Sequence, residues 1–125
     1  MARFSSGGFM ALTLRLFLLC FVLISGVFSP AWSETNESPL VIDVRSIGEW
    51  NQGHLNQAIH IEWHRINKRI GLHTQDKEQA IVLYCRSGVR AEKAKTLLGR
   101  MGYHNVINAG EIQDAQQRLG GEIVQ

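Results

Sequence analysis

Short apolar runs alternate with segments of helical periodicity from residue 40 onward. Four runs rich in β-branched or other apolar side chains have the length of buried strands, at residues 40–44 (LVIDV), 58–61 (AIHI), 80–85 (AIVLYC) and 105–108 (NVIN). We therefore expect four short strands, separated by segments that follow a different period.

The segments between these runs predict helices. Residues 46–53 indicate a short helix that ends at Gly53, and residues 62–71 place apolar side chains at helical spacing before Gly71. Beyond residue 90, one apolar helix face precedes Gly102 and comprises Ala91, Ala94, Leu97, Leu98 and Met101. A last helix is predicted over residues 111–119.

This alternation predicts an α/β fold, a small parallel sheet covered by helices on both faces. Residues 40–125 would form this domain. In such sheets, ligands bind beyond the carboxyl ends of the strands. Asp43 and Cys85 both lie at predicted strand ends, so we expect the functional edge there.

The first 33 residues have the pattern of a cleavable signal peptide. Arg3 and Arg15 flank a segment without acidic residues, and the apolar block 16–28 is too short for a membrane span of about 20 residues. Ala31 and Ser33 supply small side chains for cleavage after Ser33, leaving a flexible arm at 34–39. We expect export to a bacterial periplasm without a stable membrane anchor, an uncleaved anchor being the alternative.

Charge and cysteine content narrow the function. The chain has 13 basic and 11 acidic side chains, and two of the basic ones, Arg3 and Arg15, lie in the predicted signal, so the remainder is balanced. No basic run is interleaved with aromatic residues, which argues against a nucleic-acid partner. Cys20 also lies in the signal, so Cys85 would be a lone thiol, either reactive or buried and inert.

The segment YCRSGVRA, from Tyr84 to Ala91, has the composition of an anion-binding loop with a nucleophile. It places Cys85 and Arg90 in a C-x4-R spacing directly before a predicted helix. Loop amides and the positive end of that helix would favour the Cys85 thiolate and hold an anion. The substrate-binding residues predicted on this basis are Arg86, Ser87, Gly88, Val89 and Arg90. Gly88 would allow a tight backbone, and Arg90 would bind two oxygens of an oxyanion.

Other polar side chains have simpler explanations. We expect Asp43 to support the site, either by orienting the loop or through a polar network with Arg45. Arg45 and Glu49 have the i, i+4 spacing of an ion pair. His54 is interpreted as a structural hydrogen-bonding residue, and Trp50 as a core residue, like Trp63. The remaining histidines lack metal-ligand spacing, so no metal is predicted.

Two longer stretches, VIDVRSIGEWNQGHLNQAIHI and VLYCRSGVRAEKAKTLLGRMGYHNVINAGEI, resemble the rhodanese domain, most closely the small exported single-domain type represented by phage-shock protein E. The resemblance covers about residues 40–117. It implies a thiosulfate sulfurtransferase in which Cys85 carries the sulfane sulfur as a persulfide and loop 85–90 cradles it. Small sulfur anions and cyanide would be its partners: thiosulfate as donor, sulfite as leaving group and cyanide as acceptor. No cofactor is implied.

The chain departs from the family pattern at a few positions. Asn56 and Gln57 replace a usual Pro-Gly pair, and Glu62 replaces a proline. Ala91 replaces a frequent serine and Glu111 a glycine, and we expect both near the pocket rim, where they would alter substrate preference.

Three alternatives stay open from the sequence. A non-catalytic binding module could share the fold. A cysteine phosphatase or arsenate reductase would use a similar loop, although its C-x5-R spacing is one residue longer than the spacing from Cys85 to Arg90. A persulfide could replace thiosulfate as donor. A monomer and a weak dimer are equally compatible with the sequence.

Overall fold

The computed structural model describes residues 37–125, which belong to one compact unit. The predicted signal peptide and the first half of the predicted arm, residues 34–36, lie outside the described residues. The elements, in chain order, are β1 (Leu40–Asp43), α1 (Ile47–Asn51), β2 (His54–Leu55), β3 (Ala58–His60), α2 (Ile66–Arg69), β4 (Ile81–Cys85), α3 (Val89–Arg100), β5 (Val106–Glu111), α4 (Ile112–Leu119) and β6 (Ile123–Val124). Short 3-10 turns at Trp63–Arg65 and Ile70–Leu72 flank α2.

The main sheet has four parallel strands in the order β3-β1-β4-β5. Every residue of β4 is buried, as expected for a central strand with both faces covered. Because the strands are parallel, the ends of β1, β4 and β5 meet along one edge. This edge holds Asp43 and Cys85, as the sequence predicts.

Helices cover both faces of the sheet, which confirms the predicted fold class. The larger core cluster joins one sheet face to α2 and α3, and its buried members include Ile42, Leu83, Cys85, Ile66, Ile70, Ala94 and Leu98. A smaller cluster joins the other face to α4 and comprises Val41, Leu55, Val82, Tyr84, Ala109 and Ala115. Alternation along β4 therefore turns the Cys85 side chain toward the face that packs against α3.

Strand β5 contains one extra residue relative to β4. Leu83 pairs with Asn108, whereas Cys85 pairs with Glu111, so two residues of β5 lie opposite Tyr84 alone. One of the two is Gly110, whose φ of 81° lies in the left-handed region. This irregularity is a β-bulge, a feature common at sheet edges and beside active sites.

Several predicted elements differ from those observed. The helix expected at 62–71 is divided, because 3-10 turns flank α2 and Glu62 provides no side-chain cap at the start of the segment. Strand β5 continues to Glu111, three residues beyond the predicted end. Strands β2 and β6, which pair antiparallel, have two residues each, too few for a periodic signal.

Trp50 and Trp63, the two tryptophans within residues 37–125, are only half-buried, so the prediction that Trp50 is a core residue is wrong. Helix α1 has no buried residue, and the Trp50 ring stacks on His54 with centroids 3.4 Å apart. Trp63 does pack against the larger core cluster. His54 Nδ1 also lies 3.0 Å from the Trp50 carbonyl oxygen, consistent with the predicted structural role of His54.

Between residues 37 and 125, no helix is both long and apolar enough to cross a bilayer.

Candidate active site

Cys85 ends β4, with a free side chain that is fully buried. The backbone N–H of Gly88 donates a hydrogen bond to Cys85 Sγ over 2.9 Å. Helix α3 begins at the next residue, Val89, so the sulfur lies where the chain turns from strand into helix. A hydrogen-bond donor and a helix N-terminus both stabilise negative charge on a thiol.

Gly88 has a φ of 83°, which a side chain rarely permits. Asn108 holds this turn, since its Nδ2 donates to the Gly88 carbonyl over 2.9 Å and to Glu92 Oε2 over 3.0 Å. Asn108 Oδ1 in turn accepts from the N–H of Gly110 over 3.0 Å. Asn108 is a site residue that the sequence pattern did not predict, although its place near the end of a strand beside β4 is a usable signal.

Arg90 forms a bidentate ion pair with Glu49, with Nη1 and Nη2 2.6 Å and 2.8 Å from the carboxylate oxygens. Its hydrogen bonds lower the pKa of Glu49 from 4.5 to about 2, against the opposing effect of burial, and the hydrogen bonds from Ser46 act in the same direction. The pair joins α1 to the first turn of α3. Arg90 therefore binds both carboxylate oxygens of Glu49. This is the bidentate geometry with which we expected Arg90 to bind an oxyanion.

The expected ion pair between Arg45 and Glu49 is wrong. Arg45 is engaged by Asp43, with Nη2 2.6 Å from Asp43 Oδ2 and Nε within 3.0 Å of both carboxylate oxygens. Arg45 Nη2 also donates to the Gly53 carbonyl over 2.6 Å. Burial alone would lower the pKa of Arg45, but the hydrogen bond and charge of Asp43 raise it.

Asp43 is fully buried and accepts from both the main chain and the side chain of Arg45. The polar network that we predicted for it with Arg45 is confirmed. Beside it, the Tyr84 hydroxyl accepts from the N–H of Leu55 over 3.1 Å. Burial, with a smaller effect from the Asp43 carboxylate, raises the pKa of Tyr84 above its ordinary value. These contacts fix the strand ends on which the Cys85 loop rests.

A cleft of about 420 Å³ opens at this edge, lined by Arg45, Glu49, Gln52, Arg86, Glu111, Ile112 and Gln113. Arg86 comes from the Cys85 loop, and the side chains of Ser87 and Val89 are also exposed. Glu111 lines the cleft, as expected of a residue near the rim. Ala91 instead is fully buried in the larger core cluster and does not line it, so its expected place at the rim is wrong.

Comparison with known proteins agrees with this geometry. The sequence-family model of the Rhodanese-like domain matches residues 30–110 of this chain. The thiosulfate sulfurtransferase PspE of Escherichia coli is 37% identical over 73 residues, which cover 58% of this chain and 70% of that protein. The tRNA uridine(34) hydroxylase of Sodalis glossinidius is 32% identical over 84 residues, covering 62% of this chain but only 24% of that protein.

A solved structure described as "rhodanese with anions from E. coli" superimposes with a TM-score of 0.63 at 32% identity. The match covers 70% of this chain and 99% of that one. The extent of the family match, the identity to PspE and the shared fold lead to one conclusion. This chain belongs to the rhodanese-like domain family.

Proposed function

We propose that the chain is a sulfurtransferase whose Cys85 accepts a sulfane sulfur from thiosulfate or a persulfide and passes it to a thiophilic acceptor such as cyanide. The observation that carries this proposal is the hydrogen bond from the Gly88 N–H to Cys85 Sγ at the start of α3. In this position the Cys85 sulfur accepts a hydrogen bond from the Gly88 N–H, and helix α3 begins directly after Gly88. PspE supports the proposal because its name describes the same activity.

The proposed reaction has two displacement steps. In the first, the Cys85 thiolate attacks the outer sulfur of thiosulfate, an S–S bond forms, and sulfite leaves with the electron pair of the broken S–S bond. The product is a Cys85 persulfide anion. In the second step, cyanide attacks the outer sulfur, thiocyanate leaves, and the thiolate is restored. Such double displacement gives ping-pong kinetics.

Backbone amides of the loop would stabilise the persulfide, as an oxyanion hole stabilises a developing charge. Gly88 supplies one donor already directed at the sulfur. Arg86 is exposed in the cleft lining, where its positive charge would attract an incoming anion. Arg90 would act indirectly, by fixing the first turn of α3 through Glu49. Neither step requires a metal or an organic cofactor.

The phosphatase alternative has less support. A cysteine phosphatase needs an arginine that binds the phosphate oxygens. Arg90, the last residue of this loop, already forms a bidentate ion pair with Glu49. The shorter loop between Cys85 and Arg90 also suits a smaller group than phosphate. A single sulfur atom fits both observations better.

The direct test is thiocyanate formation from thiosulfate and cyanide by residues 34–125, which contain the whole described compact unit. A Cys85→Ser variant serves as the matched control. We expect turnover by the unaltered chain, none by the variant, and a mass gain of one sulfur on the unaltered chain alone after treatment with thiosulfate. If neither thiosulfate nor a persulfide donor adds sulfur to a folded sample, the sulfurtransferase proposal fails and the binding-module alternative takes its place.

We also infer export to the periplasm, on the signal pattern of residues 1–33. The intact mass of the protein recovered from a periplasmic fraction tests this inference. A mature chain beginning at Glu34 is expected. Recovery of the uncleaved chain in the membrane fraction would contradict it.

A further inference from the structure

The charges lining the active-site cleft do not suit a doubly charged anion. Four charged side chains line it, two basic and two acidic: Arg45, Arg86, Glu49 and Glu111. Arg45 is already paired with Asp43 and Glu49 with Arg90. None of the ion pairs among residues 37–125 includes Arg86 or Glu111. The cleft therefore presents one positive and one negative charge that no ion pair of the described residues neutralises.

The negative charge lies close to the nucleophile. Glu111 pairs directly with Cys85 in the register of β4 and β5, so the two residues are neighbours on adjacent strands. Its side chain is exposed, lines the cleft and takes part in a capping box with Asp114 at the start of α4, where its backbone is extended. The adjacent α4 N-terminus favours a carboxylate there. Cys85 itself does not line the cleft, but a donor that reaches its loop through the cleft passes this charge.

We propose that Glu111 is a specificity-determining residue that disfavours dianionic donors and selects a small zwitterionic one, with an amine cation near its sulfane sulfur. Arg86 would attract the anionic end of such a molecule and Glu111 its ammonium group. The cleft volume of about 420 Å³ accommodates a small organic molecule and exceeds what an inorganic anion fills. This inference rests on the proposed sulfurtransferase function and adds the class of donor to it.

The sulfur-transfer step is the same for such a donor. With a thiosulfonate, the Cys85 thiolate attacks the terminal sulfur, an S–S bond forms at Sγ, and the donor's S–S bond breaks. A sulfinate leaves with the electron pair, and the persulfide anion stays on Cys85. No proton transfer, oxidant or reductant is needed. The donors differ only in the charge of the group that would lie in the cleft.

Three donors of different charge test the role of Glu111: thiosulfate, a dianion; methanethiosulfonate, a monoanion; and 2-aminoethanethiosulfonate, a zwitterion. The quantity measured is kcat/KM for each donor, with cyanide as acceptor, for residues 34–125. For each donor the variant is compared with the unaltered chain, so that differences in intrinsic reactivity cancel. The variants are Glu111→Gln and Glu111→Lys, with Glu78→Gln as a charge-matched control that precedes the opposite end of β4.

We expect Glu111→Gln to raise kcat/KM for thiosulfate by about fivefold, because a unit charge near a solvent-exposed site has an effect of this order on a dianion. The increase for methanethiosulfonate should be smaller, and kcat/KM for the zwitterion should fall by about threefold. Glu111→Lys should change all three in the same order by larger factors, while Glu78→Gln leaves them within about twofold.

Equal factors for the three donors in both Glu111 variants would overturn the inference and leave the sulfurtransferase proposal standing. The same holds if the zwitterion gains as much as thiosulfate does. If no donor adds sulfur to Cys85 of the unaltered chain, both proposals fail together. Circular dichroism of each variant verifies that the fold is kept before the rates are compared.

Discussion

Replacing Glu49 with glutamine removes the charge that holds Arg90 while keeping the side-chain shape. The lowering of the Glu49 pKa from 4.5 to about 2 corresponds to about 3 kcal/mol of stability at neutral pH if it is taken in full. The side chains of Glu49 and Arg90 are 25% and 28% exposed, so solvent screening reduces this figure. We expect a coupling energy of about 1–2 kcal/mol between the two.

A double-mutant cycle isolates this coupling. Glu49 also accepts hydrogen bonds from Ser46, over 3.1 Å from its N–H and 2.9 Å from its hydroxyl, so the single variant loses part of a helix cap as well. Urea denaturation of the unaltered chain, Glu49→Gln, Arg90→Gln and the double variant separates the two effects. The exposed pair of Glu78 and His104 is the control, and its coupling should be below about 0.5 kcal/mol.

The pH dependence of the coupling follows from the direction of the Glu49 shift. A carboxyl whose pKa is lower in the folded state stabilises the fold above its unfolded value of about 4.5, and this contribution declines as the pH falls toward about 2. We expect the coupling at pH 3 to be less than half of its value at pH 7. A coupling that is the same at both pH values, or below about 0.5 kcal/mol at pH 7, would refute the reasoning.

Three further substitutions test the support of the Cys85 loop, each by urea denaturation. Gly88→Ala should destabilise the fold by about 1–2 kcal/mol, because its φ of 83° is strained for alanine; an unchanged stability would mean that the turn relaxes without strain. Asn108→Ala should remove about 2 kcal/mol and slow sulfur loading, since the Gly88 carbonyl loses its donor; loading at the normal rate would contradict the clamping role. Tyr84→Phe should lower stability by about 1–2 kcal/mol by leaving the buried Leu55 N–H without an acceptor, and a neutral result would show that water takes its place.

Features encoded by neighbouring residues could be predicted from the sequence. The buried run that ends in Cys85, the tight turn at Gly88 and the helix that follows are all determined within a few positions. The parallel sheet follows from the repeated order of strand and helix. These local signals were sufficient to locate Cys85 and its loop as the candidate site.

Contacts between distant residues could not be predicted in the same way. Glu49 has a basic residue four positions earlier, and the helix spacing rule therefore pointed to Arg45. In the structure Arg45 precedes α1 and turns back to the buried Asp43, while Glu49 meets Arg90 from 41 positions away. Leaving a buried carboxylate unpaired costs more free energy than leaving a half-exposed one unpaired. This difference explains why Arg45 pairs with Asp43 and not with Glu49. Neither this preference nor the path of the chain is visible in local spacing.

The bulge in β5 affects which residue of this strand pairs with Cys85. If the two strands kept a regular register beyond Leu83, Gly110 and not Glu111 would pair with Cys85. The bulge therefore brings the acidic residue beside Cys85 through the register of the strands. A related chain of the same strand length that closed the bulge would place a glycine beside this cysteine, whereas a chain one residue shorter at this point would keep the acidic neighbour without a bulge. The neighbour of Cys85 thus depends on strand length and register together, and not on residue identity alone.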